Sequence, residues 1–191
     1  MKILIIYSHP NPESFNHAIL EAVLDGLAEA GHTSDVIDLY EMGFDPCLKV
    51  EDFVKIRSGS NSDDVLSHQA RVSDADVLVF IHPNWWGSMP AILKGWIDRV
   101  FSMGYAYGFD PEIGEIKGLL GITKAIVLTT CGSSEEFSLC MDAFHDTWSI
   151  KILQFCGIPE VDFKIFYDVI NVDDKTRKGN LEEARNLGMD I

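Results

Sequence analysis

Three segments of the chain gather side chains that could hold and work on a small molecule: Ser8-His9-Pro10-Asn11, His82-Pro83-Asn84-Trp85-Trp86-Gly87 and Thr129-Thr130-Cys131-Gly132. Each ends an apolar run, Lys2–Tyr7, Ala75–Ile81 and Ala125–Leu128. In an open parallel sheet, ligands bind outside the carboxyl ends of the strands, near the point where the strand order reverses, so three such loops would converge on one crevice. Beside the first loop, Ser8, His9, Ser14 and the backbone N–H groups of Phe15, Asn16 and His17 at a helix start suit a phosphate. Ser14 reads equally as a helix cap and nothing more. In the second, Trp85 and Trp86 follow a strand and a proline, a costly place to expose indoles unless a flat conjugated ligand covers them. Taken alone, Trp85 reads as an ordinary core or interface aromatic. The third loop offers close backbone approach and several donors, which suit the polar edge of a heteroaromatic ring; by itself it is also an ordinary turn.

Several other chemistries lack their residues. The first loop has no Gly-x-Gly-x-x-Gly, and no Gly-Lys-Ser/Thr element is present to cradle a nucleoside triphosphate. Cys47, Cys131, Cys140 and Cys156 form no Cys-x-x-Cys pair and do not cluster with histidines at metal spacing, so neither a zinc site nor a redox dithiol is expected. Free thiols fit a reducing cytosol. His145 lies within a helical pattern, and no Ser-His-Asp or Cys-His set can be assembled from the spacing, which leaves a hydrolase little support.

The elements that must position these loops follow from apolar periodicity. Lys2–Tyr7 is continuously apolar after Lys2, as suits a central strand buried on both faces. Phe15, Ala18, Ile19, Ala22, Val23, Leu27 and Ala30 recur at helical spacing, with Ser14 or Asn16 as cap and Gly31 as stop. A short strand is expected at Ser34–Leu39, a long excursion with some helix over Tyr40–Ser62, and a helix from Asp63 or Asp64 to about Ser73. Strand Ala75–Ile81 follows, then a helix with Pro90 in its first turn and an apolar face of Ile92, Leu93, Trp96, Ile97, Val100 and Phe101. Strand Ala125–Thr130, helix Phe137–Phe155, edge strand Val161–Tyr167 and helix Thr176–Leu187 complete the reading. This alternation predicts an α/β fold, a doubly wound parallel sheet with helices on both faces. With 191 residues, 47% of them hydrophobic, one domain over 1–191 is expected. The net charge of −15 disfavours nucleic acid and anionic lipid surfaces. No run approaches a membrane span or a secretion signal, so a cytoplasmic location without membrane insertion is expected.

The run Pro83-Asn84-Trp85-Trp86-Gly87-Ser88-Met89-Pro90-Ala91-Ile92-Leu93-Lys94-Gly95-Trp96-Ile97-Asp98-Arg99-Val100-Phe101 resembles the flavodoxin-like NAD(P)H:quinone oxidoreductases of the DT-diaphorase type. Further matches are His9 with Ser14-Phe15-Asn16, Tyr105-Ala106-Tyr107-Gly108, and Thr129-Thr130 before the glycine loop. The resemblance implies a five-stranded sheet of the flavodoxin-like kind and a tightly bound flavin. Its phosphate would be held by His9, Ser14, Phe15 and Asn16, and its ring would lie against Pro83, Asn84, Trp85 and Trp86 on one side and Thr129, Thr130, Cys131 and Gly132 on the other. It also implies ping-pong hydride chemistry in which NADH or NADPH reduces the flavin and a quinone, or a similar small acceptor, then takes the hydride. Tyr105 and Tyr107 would reach the active site across a homodimer interface. Trp86, Tyr107 and His145 are the candidates for work on the acceptor.

The chain departs from the mammalian pattern at several positions. Phe137 stands where those enzymes carry an active-site tyrosine, His145 is displaced by two positions from the family's histidine, and the C-terminal extension of the larger members is absent. Arg177 matches a basic position that meets the outer half of the cofactor in FAD-binding members. The segment Ser102–Gly108 looks more like that of small bacterial members carrying FMN, so FMN is preferred to FAD, and replacement of Arg177 is then expected to matter little. Small members also include ancillary subunits of potassium efflux systems, the alternative reading. A one-electron flavodoxin carrier suits the acidity but has no need of the aromatic pocket.

Overall fold

The structure, a computed structural model, describes residues 1–137 and 141–191, Phe137 by its backbone alone. At its centre is β1 (Lys2–Tyr7), whose side chains alternate between two buried faces: Ile3, Ile5 and Tyr7 join one apolar cluster, Leu4 and Ile6 another. Each such side chain contributes roughly 1.5–3 kcal/mol when fully buried. A strand with no polar face beyond Lys2 is therefore stable only between two helical layers. On the first face lie α1 (Phe15–Glu29) and, from the far end of the chain, α6 (Asp174–Met189), so close that a Cβ at Gly26 would fall 2.0 Å from the Arg185 carbonyl oxygen. β2 (Thr33–Asp38) pairs with β1 in parallel.

The excursion that follows carries α2 (Val50–Arg57) and leads to α3 (Asp63–Ser73). It is pinned by buried Arg99, whose Nη1 lies 2.8 Å from an Asp64 carboxylate oxygen and 2.8 Å from the Asp45 carbonyl oxygen. β3 (Val77–Pro83) pairs with the other edge of β1, and α4 (Ala91–Val100) packs Leu93, Trp96 and Val100 into the second core. The strands β4 (Tyr107–Asp110) and β5 (Glu115–Gly118) form a separate antiparallel hairpin. β6 (Lys124–Thr130) then pairs with β3, α5 (Met141–Asp146) crosses over, and β7 (Glu160–Phe166) pairs with β6. The resulting order β2-β1-β3-β6-β7, all parallel, is the doubly wound five-stranded sheet expected from the sequence. The order reverses between β1 and β3, which puts the crevice above their carboxyl ends.

The structure differs from the sequence reading in four places. β3 starts at Val77 because the Ala75 amide still closes α3 on the Val72 carbonyl at 3.2 Å, while the Asp76 carboxylate takes the Lys2 amide at 2.7 Å. It runs on to Pro83 because His82 and Pro83 pair with Thr129 and Thr130; a strand's end tolerates proline. Pro90 precedes α4 as its cap residue instead of sitting in its first turn. The helix expected over Phe137–Phe155 is, among the described residues, a short turn at Glu135–Phe137, then α5, then π-helical turns over Thr147–Gln154. The wide turns bury both Trp148 and Leu153, a spacing an α-helix would not keep on one face. The hairpin was not anticipated, although Asp110-Pro111-Glu112-Ile113-Gly114 is a turn with Gly114 at φ +72°.

Candidate functional site

Above the carboxyl ends of β1, β3 and β6 lies a cleft of about 500 Å³. His9, Ser14, Phe15 and Asn16 line it from the first loop, Pro83, Asn84 and Trp85 from the second, and Thr130 and Gly132 from the third. A larger hollow of about 670 Å³, by Lys2, Thr33 and Ala75, is at the opposite end of the sheet and touches none of these loops. The convergence has a local cause. The Asn16 side chain donates from Nδ2 to Thr130 Oγ1 at 2.8 Å, joining the start of α1 to the end of β6. The Asn84 amide donates to the Thr130 carbonyl at 2.7 Å, joining the second loop to the third.

The polar groups of the cleft are poised for an anion at one end. Ser14 caps α1 by accepting the His17 amide on Oγ at 3.2 Å. The Phe15 and Asn16 amides belong to the first turn, where a helix offers no internal partner and its dipole favours negative charge. Burial lowers the pKa of His9, and its Nδ1 stands 3.0 Å from the Asn11 amide nitrogen and 3.1 Å from the Asn11 carbonyl oxygen, which ties the ring to the loop backbone. That ring lies 6.0 Å from the Trp85 indole. Two carboxamide oxygens, Asn16 Oδ1 and Asn84 Oδ1, are buried among the cleft's own residues without a partner among the described residues, and unpaired buried acceptors call for a donor. At Gly132 a Cβ would come 2.9 Å from Ile170 Cδ1, so the third loop keeps its room by lacking a side chain. Donors for an anion, acceptors for N–H or O–H groups, and an apolar wall together fit a flavin nucleotide.

Other residues expected at the site stand elsewhere. Trp86 is fully exposed and Trp85 is 41% exposed. Trp86 (φ +56°) and Gly87 (φ +70°) are the central residues of a tight turn closed by paired Trp85–Ser88 hydrogen bonds, which throws the Trp86 indole outward instead of into the cleft lining. Thr129 is fully buried beneath the cleft, and Cys131 is buried with its Sγ 3.2 Å from Ser133 Oγ. Tyr107 is on the hairpin, its ring 5.2 Å from Phe155, and Tyr105 donates its hydroxyl to the Gln69 carbonyl at 2.7 Å within the same chain. Neither lines the cleft. His145 faces solvent on α5 with its ring 5.2 Å from Phe163. The Phe137 side chain lies outside the described residues.

The sequence reading missed the loop after β7. Val169 and Ile170 line the cleft together with Arg177, whose guanidinium lies 5.9 Å from the Phe15 ring centre and 3.3 Å from the Val169 carbonyl oxygen. The loop is tied to the third one by the Val169 amide on the Cys131 carbonyl, 3.1 Å, and the Asp168 amide on the Ser133 carbonyl, 3.0 Å. Its only advance signal was its place after the last strand.

Comparison with known proteins agrees with this geometry. Residues 1–187 match a family model described as having the flavodoxin-like fold. An uncharacterised NAD(P)H oxidoreductase of Haemophilus influenzae is 36% identical over 189 residues, 96% of this chain and 92% of that protein. The ribosyldihydronicotinamide dehydrogenase (quinone) of Mus musculus is 32% identical over 190 residues, 85% of this chain and 81% of that protein. Among solved structures, an NAD(P)H:quinone oxidoreductase from Methanothermobacter marburgensis aligns with a TM-score of 0.87 at 36% identity, covering 100% of this chain and 96% of that one.

Proposed function

Because the chain belongs to the flavodoxin-like fold family, we propose that it is a flavin-dependent NAD(P)H:quinone oxidoreductase whose active site is the cleft above β1, β3 and β6. The observation that carries this reading is the pair of buried, unpartnered carboxamide oxygens of Asn16 and Asn84 beside the free amides of the α1 N-terminus. The names of the bacterial, mouse and archaeal relatives support the same activity and favour it over an ancillary transport subunit. When bound, the flavin supplies the hydride-accepting and hydride-donating ring.

The chain's own residues do the rest. The Phe15 and Asn16 amides and the Ser14 hydroxyl would hold the phosphate, with the His9 ring beside them. Asn16 and Asn84 accept from N–H or O–H groups of the cofactor, which sets its depth and tilt. Pro83 and Asn84 on one side, and Thr130 and Gly132 on the other, would confine the ring, and nicotinamide and quinone would take turns against its exposed face. Trp86, fully exposed on the turn of the second loop, is the indole we assign to a planar acceptor. We read the cofactor as FMN, supported by the likeness of Ser102–Gly108 to small family members. Tyr107 and His145 stay outside the single-chain cleft, so Tyr107 would act on it only from a second copy. Exposed Phe53, Leu66, Met103, Phe109, Ile116 and Leu119 along α2, α3 and the hairpin support a homodimer. No helix among the described residues is long and apolar enough to cross a membrane, and the free thiols of Cys47 and Cys156 suit a reducing compartment such as the cytoplasm.

Purified protein should be yellow, or become so on adding FMN, and its visible absorbance should bleach when NADH or NADPH is added without oxygen. A colourless protein that takes up neither FMN nor FAD would sink the proposal. Released flavin of FAD mass would overturn the choice of FMN alone.

A further inference from the structure

Beneath the floor of the cleft, four buried polar atoms lack partners among the described residues: Ser8 Oγ, His82 Nε2, Thr129 Oγ1 and Trp148 Nε1. Their placement is not scattered. Leu4 and Ile6 of β1, Leu78 and Phe80 of β3, and Ala125 and Val127 of β6 all face one core, and residues two further along each strand, Ser8, His82 and Thr129, face the same way. The Ser8 amide donates to the Ile81 carbonyl at 3.0 Å and His82 is in register with Thr129, so the three stand side by side across adjacent strands. All three are 0% exposed, as is Trp148, whose ring is stacked on His82 at 5.4 Å and 21°. Each of the three immediately precedes a residue that lines the cleft: His9, Pro83 and Thr130.

The hydrogen on the imidazole can be located. His82 Nδ1 is 2.9 Å from the Pro83 carbonyl oxygen, which can only accept, so Nδ1 carries the hydrogen and Nε2 is a bare acceptor. A buried acceptor without a donor costs on the order of 1–3 kcal/mol, and native proteins leave few. Four such atoms in one row would be an unusual concentration, whereas one internal water can donate two hydrogen bonds and accept two. We propose that Ser8, His82, Thr129 and Trp148 form a site for an internal water, and that through it His82 acts as a positioning residue for the Pro83–Asn84 side of the cleft. The water donates to His82 Nε2 and to Ser8 Oγ and accepts from the Trp148 indole N–H and the Thr129 hydroxyl. The imidazole, locked in one tautomer, then holds the Pro83 carbonyl where the cleft wall begins. Burial keeps the ring neutral, its pKa pushed down to about 4, so the arrangement persists at physiological pH.

This rests on the cleft being the flavin site, and the test separates the two. The wild-type protein is measured by nitrogen-15 NMR of its histidines and by crystallography. His82 should be the neutral Nδ1–H form, with a hydrogen-bonded Nε2 and ordered density for a water within reach of Nε2 and Thr129 Oγ1. An Nε2–H tautomer, or a packed site without water, overturns the proposal whether or not flavin binds. FMN affinity is then compared by fluorescence quenching in His82→Phe, which keeps the stacking on Trp148, and in His82→Asn, whose Nδ2 can still donate to the Pro83 carbonyl. The loss of a buried hydrogen bond predicts binding about fivefold to tenfold weaker in the first variant and within about twofold of wild type in the second. Equal affinity in all three, with native circular dichroism, overturns the positioning role. Absence of flavin binding in the wild type itself would defeat the proposed function instead, and the tautomer and water would still be decided.

Discussion

Taking the protein from pH 7 to pH 5 should cost the wild-type fold about 2 kcal/mol more than it costs His82→Phe. The imidazole's ordinary pKa is 6.5; in the fold, burial against Phe144 and Trp148 pushes it down to about 4, and the bond to the Pro83 carbonyl opposes the shift only in part. The unfolded chain therefore takes up a proton at His82 as pH falls through 6.5, while the folded chain does not until about 4. Between those values the unfolded state binds more protons, so stability falls as pH is lowered; below about 4 the loss from this residue levels off. At pH 5 the unfolded imidazole is about 1.5 units below its pKa and almost fully charged, which at about 1.4 kcal/mol per unit gives about 2 kcal/mol, whereas at pH 7 the contribution is close to zero. Urea denaturation of both proteins at the two pH values isolates it, because titration of every other group is common to both and cancels in the double difference. If wild type and variant lose equal stability between pH 7 and pH 5, His82 is not a buried neutral imidazole and the reasoning fails.

Trp86→Asn should raise thermal stability by roughly 0.5–1 kcal/mol, since asparagine accepts the positive φ that strains tryptophan, and yet lower quinone turnover, a separation readable from melting curves beside steady-state rates. A fall in both would make Trp86 a structural residue. Tyr107→Phe and His145→Gln should each reduce quinone turnover less than about tenfold, below the 10²–10³ typical of losing a donor that acts only in the transition state. Stopped-flow measurement of the two half-reactions checks this, and abolished reoxidation by quinone with normal reduction in His145→Gln would make His145 the proton donor. Gly118→Ala should destabilise the fold by about 2 kcal/mol or more in urea melts, because its Cβ would fall 2.1 Å from the Gly157 amide nitrogen, where rigid backbone meets rigid backbone.

Where burial has a period, the chain could be read directly. β1, α1 and α4 were legible because two-faced or one-faced burial writes itself into the spacing of Ile3 to Tyr7, of Ile19 to Leu27, and of Leu93 to Val100. The cleft's nearer half was legible for a related reason: the strand ends are forced together by the sheet order, with Asn84, Thr130 and Gly132 at or just past them and Ser14 and Asn16 at the start of the helix that follows β1. What escaped depends on backbone geometry that composition does not encode. A turn with positive φ at Trp86 aims an indole away from the loop it belongs to, and π-turns change which residues of 147–154 share a face. The hairpin is too short and too exposed to carry an alternation, although it holds Tyr107.

The least legible feature is the polar row under the cleft. Ser8, His82 and Thr129 are separated by about seventy and about fifty positions, and each by itself looks like the first residue of a polar loop. Only the register of three strands reveals that they are the last residues of the core, placed inside it side by side. A core normally ends where apolar side chains end. Here its upper layer is polar and buried, so the loops above it rest on directional bonds instead of on apolar contact alone. Directional support fixes angles as well as distances, and a site that must hold a planar ring between two loops requires control of angle. By this argument, changing His82 should disturb ligand geometry in the cleft more than it disturbs global stability at pH 7, although its side chain never reaches the cleft surface.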